Sequence, residues 1–211
     1  MSMIDDLRQS VIDGDMIAAQ QLVQKAIEEK TPPEQILKGG LISAMEEVGR
    51  RFERNEYYIP EMLISARAMK SSLALLRPLL VAAKVRAAGK VVIGTVQGDL
   101  HDIGKNLVSM MLEGAGFEIV DLGVDVSPEA YVVAVKKHQP DLVACSSLLT
   151  TTMPRMESIL TALKAAGLRE QVKVIIGGAP VTEQYAAMIG ADGYAPDAAL
   201  AASLAKELIH T

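Results

Sequence analysis

The sequence has one cysteine, no tryptophan and few aromatic residues of any kind, 3% in all. Cys145 alone can form no internal disulfide framework, and the chain offers no Cys-x-x-Cys pair or close pair of histidines from which side chains could build a zinc site. So few rings make no stacking platform for single-stranded nucleic acid or sugar. Basic charge is also short: the net charge is -5, which supplies no field for gripping phosphates and argues against nucleic acid as a partner. Long apolar runs are missing too, because the stretch from Leu73 to Ala83 is cut by Arg77 and Pro78. The N-terminus reads Met1, Ser2, Met3, Ile4, Asp5, Asp6, with acid where a signal peptide needs base. These absences predict a cytoplasmic protein that neither spans a membrane nor binds nucleic acid. What is present is apolar: 50% of the 211 residues are hydrophobic, too many for disorder and enough for one domain or two small ones.

Apolar residues first recur with a helical period. Ile4, Leu7, Val11 and Ile12 make one face, and Ile17, Leu22, Val23 and Ile27 a second. Thr31, Pro32 and Glu34 supply an N-cap, a first-turn proline and a capping-box acid for a third helix carrying Leu37, Leu41, Met45, Val48 and Phe52, weakened in its middle by Gly39 and Gly40. Pro60 opens a fourth through Leu63, Ala66, Met69, Leu73 and Leu76. Residues 1–88 therefore predict a four-helix bundle. After Gly89, strands near 90–96, 117–122, 141–146, 173–177 and 192–195 alternate with helices near 103–114, 128–137, 153–165, 181–189 and 197–208. Nearly continuous apolar strands between helices predict, over 89–211, a flavodoxin-like (Rossmann-like) five-stranded parallel sheet covered on both faces, so the whole chain is of α/β class. Ligands of such sheets bind beyond the carboxyl ends of the strands.

The loop after the first strand reads Gly98, Asp99, Leu100, His101, Asp102, Ile103, Gly104, Lys105, Asn106. Its glycines stand one residue too far apart for a phosphate-binding loop, and Asn106 occupies the place of the magnesium-binding Ser or Thr. No Gly-x-Gly-x-x-Gly offers a dinucleotide site. What remains is the imidazole of His101, with the Asp99 carboxylate two residues earlier able to accept its second N–H. That pair suits a metal-ligating histidine, whose orientation and basicity a carboxylate sets, and equally an ordinary loop hydrogen bond. His138 and His210 fall in a helix-to-strand connection and at the chain end, so a metal on His101 must bring its other ligands with it, as a macrocycle does.

Further along, Ser146 and Leu148 end the third strand, with 41 residues between Gly104 and Ser146, and Gly177 and Gly178 end the fourth, with 28 between Leu148 and Gly177. At this spacing Asp-x-His-x-x-Gly, Ser-x-Leu and Gly-Gly resemble the signature of the cobalamin-binding domain family. Residues 45–60, with Met45, Glu46, Glu47, Val48, Gly49, Arg50, Arg51, Phe52, Ile59 and Pro60, resemble the helical cap of methyl-carrying corrinoid domains such as that of cobalamin-dependent methionine synthase. At position 59 the related proteins more often have leucine.

The resemblance covers essentially the whole chain and implies a corrinoid (cobalamin) protein of a multicomponent methyltransferase system. By that likeness His101 binds cobalt in place of the corrinoid's own tail base, the tail-base-off, His-on state, with Asp99 behind it and Asp102 and Gly104 in the same loop. Ser146 and Leu148 would contact the tail base, and Gly177 and Gly178 would leave room for it. Thr150, Thr151 and Thr152 would serve the polar part of the tail or else cap the next helix, Tyr194 would lie in the last cofactor-side loop, and Phe52 and Ile59 would cover the upper cobalt face. The implied carrier accepts a methyl group on cobalt(I) from a substrate-specific methyltransferase and passes it to an acceptor-side methyltransferase, with a reductive activation protein as a further partner. Two rivals share the cobalamin motif. A cobalamin-dependent sensor usually adds a DNA-reading segment, and the small subunit of an adenosylcobalamin mutase is not expected to carry this cap.

Overall fold

The computed structural model describes residues 2–210; Met1 and Thr211, the outer limits of the two expected segments, lie outside the described residues, as does the side chain of His210. The chain forms two compact units. One comprises the residues up to Ala87 together with Glu113–Gly116, and the other Ala88–Leu112 and Phe117 onward.

The first unit holds α1 (Met3–Ile12), α2 (Met16–Glu28), α3 (Pro33–Gln35), a π-helical segment (Ile36–Ile42), α4 (Ser43–Glu53) and α5 (Ile59–Ala82). Because α3, the π segment and α4 run on without a break, four helical rods result, matching the expected bundle. Four details depart from the sequence reading. The third rod starts one residue late, with Pro32 at its N-cap and no side-chain bond there, so Thr31 does not cap it. The glycine pair does not break that rod but widens it into π turns: a Cβ on Gly40 would stand 2.7 Å from Leu7 Cδ2, so the bare backbone lets α1 pack closely. Ile17 also turns outward, since the buried stripe of α2 is Ala19, Val23 and Ala26 and position 17 falls on the opposite side of the helix. Leu63 is likewise exposed on α5.

The second unit is a parallel sheet in the order β2-β1-β3-β4-β5, the flavodoxin-like order. Its strands are β1 (Lys90–Thr95), β2 (Glu118–Asp121), β3 (Leu142–Ser146), β4 (Lys173–Gly177) and β5 (Gly193–Tyr194). Between and after them run α6 (Ile103–Gly114), α7 (Pro128–His138), α8 (Pro154–Ala165), α9 (Glu183–Ile189) and α10 (Ala198–His210). One face presents Val92, Val143, Cys145, Val174 and Ile176 to Tyr131 and Val135 of α7, to Met156, Ile159 and Leu163 of α8, and to Ala186 of α9. By strand alternation Ile93, Thr95, Ala144, Ser146 and Gly177 point to the other face, where Leu204 of α10 lies against Gly193. Among the described residues no helix is long and apolar enough to cross a membrane.

Candidate corrinoid site

Register brings the motif residues to one edge. Thr95 pairs with Ser146, and Ser146 with Gly177, so the last residues of the three central strands form a row at the carboxyl end of the sheet. Beyond β1 the chain turns through Gly98 (φ +83°), whose N–H donates to Asp125 Oδ1 at 2.7 Å. Asp99 then drops into the protein and is fully buried.

A buried carboxylate must be satisfied, and this one is. Asp99 Oδ1 accepts from the His101 backbone N–H at 3.0 Å and from His101 Nδ1 at 2.7 Å. Its Oδ2 accepts from the Leu148 N–H at 2.7 Å and the Thr152 hydroxyl at 3.0 Å, with the Ser147 hydroxyl at 3.5 Å. Burial pushes the Asp99 carboxyl upward, but the amide bonds from His101 and Leu148, then the His101 ring and Thr152, outweigh it and hold the group well below the usual carboxylate range. The permanent negative charge keeps the proton of a neutral His101 ring on Nδ1. Its lone pair is then on Nε2, on a side chain 52% exposed.

Apolar residues next to His101 in the chain, and others joined to its loop through Asp99, are left in the open. Leu100 is 71% and Ile103 76% exposed, and Leu148 and Leu149, brought alongside by the Leu148–Asp99 bond, are also exposed. Exposed apolar side chains of this kind suit an apolar ligand. Among the described residues no cluster of three or more His, Cys, Asp or Glu could hold a bare ion. A single imidazole beside exposed apolar residues fits a metal that carries its own equatorial ligands, and that is the donor set a corrinoid requires.

Other motif residues divide. The half-buried Ser146 has no side-chain hydrogen bond among the described residues, and Gly104 has open space where a Cβ would be. Gly177 and Gly178 are glycine for the chain's own sake. A Cβ on Gly177 would lie 2.9 Å from the Ala195 carbonyl oxygen, and one on Gly178 (φ +129°) 1.9 Å from that of Ser147. The exposed Asp102 accepts from Asn106 Nδ2 at 3.1 Å within the first turn of α6. Thr150 and Thr151 are exposed, whereas Thr152 turns inward to Asp99, a role sequence reading did not assign. Tyr194, paired with Ile176, packs with the α7–α9 face, away from the face of Ser146 and Gly177. Phe52, half-buried at the end of α4, and Ile59, exposed at the start of α5, belong to the helical unit. There Glu47 gathers Arg8, Arg50, Arg51 and Arg54, and the Tyr57 hydroxyl, bonded by Arg51 at 3.0 Å, donates to the Ile12 carbonyl at 3.2 Å.

Residues 89–203 match the family described as the B12 binding domain, and residues 3–77 a second B12 binding domain family. The chain is a member of the B12-binding corrinoid protein family. The dimethylamine corrinoid protein 3 of Methanosarcina acetivorans is 40% identical to this corrinoid protein over 99% of the chain and 100% of its own length. A crystal structure of a cobalamin-binding protein from Desulfitobacterium hafniense superposes with TM-score 0.81 at 35% identity, covering 97% of this chain and 98% of that one. In the methanol:cobalamin methyltransferase complex of Methanosarcina barkeri, one chain aligns with TM-score 0.89 at 28% identity over 99% of this corrinoid protein and 80% of its own length.

Proposed function

We propose that this corrinoid protein is the methyl carrier of a multicomponent methyltransferase system and binds its cofactor base-off with His101 on the metal. The observation that carries the reading is the His101 ring, bonded through Nδ1 to a fully buried Asp99 at the carboxyl end of the sheet, on a side chain 52% exposed. Bound there, a corrinoid supplies a cobalt centre able to take up and give away a methyl group. His101 would hold the metal through Nε2, and Asp99, itself bonded by Thr152, would hold His101. The buried Asp99 carboxylate would keep the imidazole oriented through Nδ1, leaving Nε2 for the metal. Ser146 has a hydroxyl available for the tail base and Leu148 an apolar surface for its ring, and Gly177 adds no side chain to that row. Phe52 and Ile59 are assigned to covering the cofactor on the likeness of residues 45–60, and both retain apolar surface that the bundle core does not consume.

Relatives named for dimethylamine, and a structural neighbour from a methanol methyltransferase complex, support a substrate-specific methyltransferase as the loading partner. An acceptor-side methyltransferase and a reductive activation protein complete the proposed cycle. The test is reconstitution with hydroxocobalamin, reduction to cobalt(II), and electron paramagnetic resonance on protein carrying labelled histidine nitrogen. Coupling to the protein imidazole is expected. Coupling to the tail base instead would refute the His-on reading, and failure of every donor-specific methyltransferase to load the reduced protein would refute the carrier role.

A further inference from the structure

The His101 loop is also held through residues that the cofactor reading does not use. Lys105 lies four residues after His101, in the first turn of α6, and its side chain is 2% exposed. Lysine is rarely so buried unless paired. Its Nζ donates to Asp121 Oδ2 at 2.5 Å and to Asn106 Oδ1 at 2.7 Å. Asp121 is the last residue of β2, and its Oδ1 accepts the Gly123 N–H at 2.8 Å, closing a turn in which Gly123 has φ +82°. The Gly123 carbonyl accepts the Thr95 N–H at 2.9 Å. Thr95 is fully buried, and its hydroxyl donates to the His101 carbonyl at 3.0 Å. The links form a closed ring: from His101 along the chain to Lys105, across to Asp121, through Gly123 to Thr95, and back to His101. The same β2–α7 loop grips the residues just before His101, since Asp125 N–H donates to the Asp99 carbonyl at 3.0 Å and Asp125 Oδ1 accepts from Gly98.

We propose that Lys105 is a positioning residue for His101. By pinning Asp121 it fixes the Gly123 turn against Thr95, and through the Thr95 hydroxyl it holds the backbone of the metal-binding residue. Asp99 sets the ring, while Lys105 sets the main chain from which the ring hangs. The ring is built from interactions absent from the Asp-x-His-x-x-Gly, Ser-x-Leu and Gly-Gly motifs. Its importance for cofactor uptake rests on the reading of His101 as axial ligand, whereas its effect on the His101 ring is independent of any cofactor.

The experiment uses both readouts on the full-length protein. In the cofactor-free form with labelled histidine, nitrogen–proton correlation spectra report the tautomer and mobility of the His101 ring; hydroxocobalamin titration then reports uptake. Lys105→Met is expected to broaden or mix the His101 ring signals and to weaken uptake by about 10- to 100-fold, the range for changes one layer behind a metal ligand. Thr95→Val removes only the last link and no charge, and is expected to shift both readouts the same way. Arg169→Met breaks the remote Arg169–Asp192 pair, 2.8 Å long, and is expected to lower thermal stability while leaving the ring signals alone. If Lys105→Met folds with unchanged ring signals, the proposal is overturned, even if its stability falls as much as that of Arg169→Met. If Lys105→Met does not fold, unchanged ring signals in Thr95→Val overturn it. Should the parent protein fail to take up hydroxocobalamin, the axial-ligand reading fails, and a disturbed ring in Lys105→Met still supports the positioning role.

Discussion

At the scale of single residues the site rests on one buried carboxylate and the donors that satisfy it. The Asp99–His101 half was legible because the two residues are two apart in the chain. The other half was not: Thr152 and Ser147 reach Asp99 from 53 and 48 residues away, and only the β1–β3 register brings them there. The arrangement predicts that Thr152→Val, which keeps the side-chain shape but removes the donor, destabilises the protein by about 1 to 3 kcal/mol, whereas Thr151→Val on the exposed neighbour stays within about 0.5 kcal/mol. Denaturant melts of the two variants check this. A second residue-scale prediction concerns Cys145. Burial pushes its thiol up to about 12 from an ordinary value of 9.0, and burial also raises the neighbouring Tyr131 hydroxyl. A raised pKa for a group neutral in the fold means that its contribution is fully present below the unfolded value and is lost as pH rises. Stability should therefore fall between about pH 9 and 12, by up to about 1.4 kcal/mol per pH unit from this thiol alone. Melts across that range are expected to show a flatter slope in Cys145→Ala, despite its lower stability at neutral pH. A thiol reagent should label the parent only after denaturant is added.

At the scale of elements, apolar periodicity and turn residues located each α-helix and strand of the sheet unit to within a few residues, because those elements are set by local pattern, but missed the short 3-10 turn Arg169–Gln171. Misreadings occurred where tertiary packing decides. Gly39 and Gly40 look like a weak point in a helix, yet Leu7 of α1 packs against Gly40 and the backbone answers with π turns. Ile17 looks like part of an inward face, but α2 buries its alanines instead. The glycine pair after β4 has a requirement that no local pattern reveals, since each glycine faces a backbone carbonyl of the chain itself. Gly178→Ala should accordingly be among the most disruptive changes in the sheet unit. Its added carbon would overlap the Ser147 carbonyl at a φ of +129°, so a loss above about 3 kcal/mol is expected. Gly167→Ala, at φ +70° with nothing within 4 Å, should cost only about 1 to 2 kcal/mol from backbone strain. Similar losses for the two would show that the loop after β4 moves aside, and that its close approach to Ser147 is not what requires glycine.

For the whole molecule, two units with separate cores imply that unfolding need not be a single transition. That separation makes the division of labour measurable. On the proposed assignment of His101, Asp99 and Ser146 to the cofactor, binding stabilises the sheet unit by mass action; at a free concentration about 100-fold above Kd the gain is about 2.7 kcal/mol. The helical unit gains nothing unless its own residues also engage the cofactor. The covering role assigned to Phe52 and Ile59 thus predicts that hydroxocobalamin raises both calorimetric transitions of the reconstituted protein, the sheet unit's by more. Phe52→Ala should then abolish most of the rise in the helical transition while leaving that of the sheet unit, because a half-buried ring contributes less to the bundle than the fully buried Leu7, Leu41 and Met62. A helical transition that ignores the cofactor in the parent, or that responds equally with and without Phe52, would leave cofactor binding wholly to the sheet unit and remove Phe52 from the site.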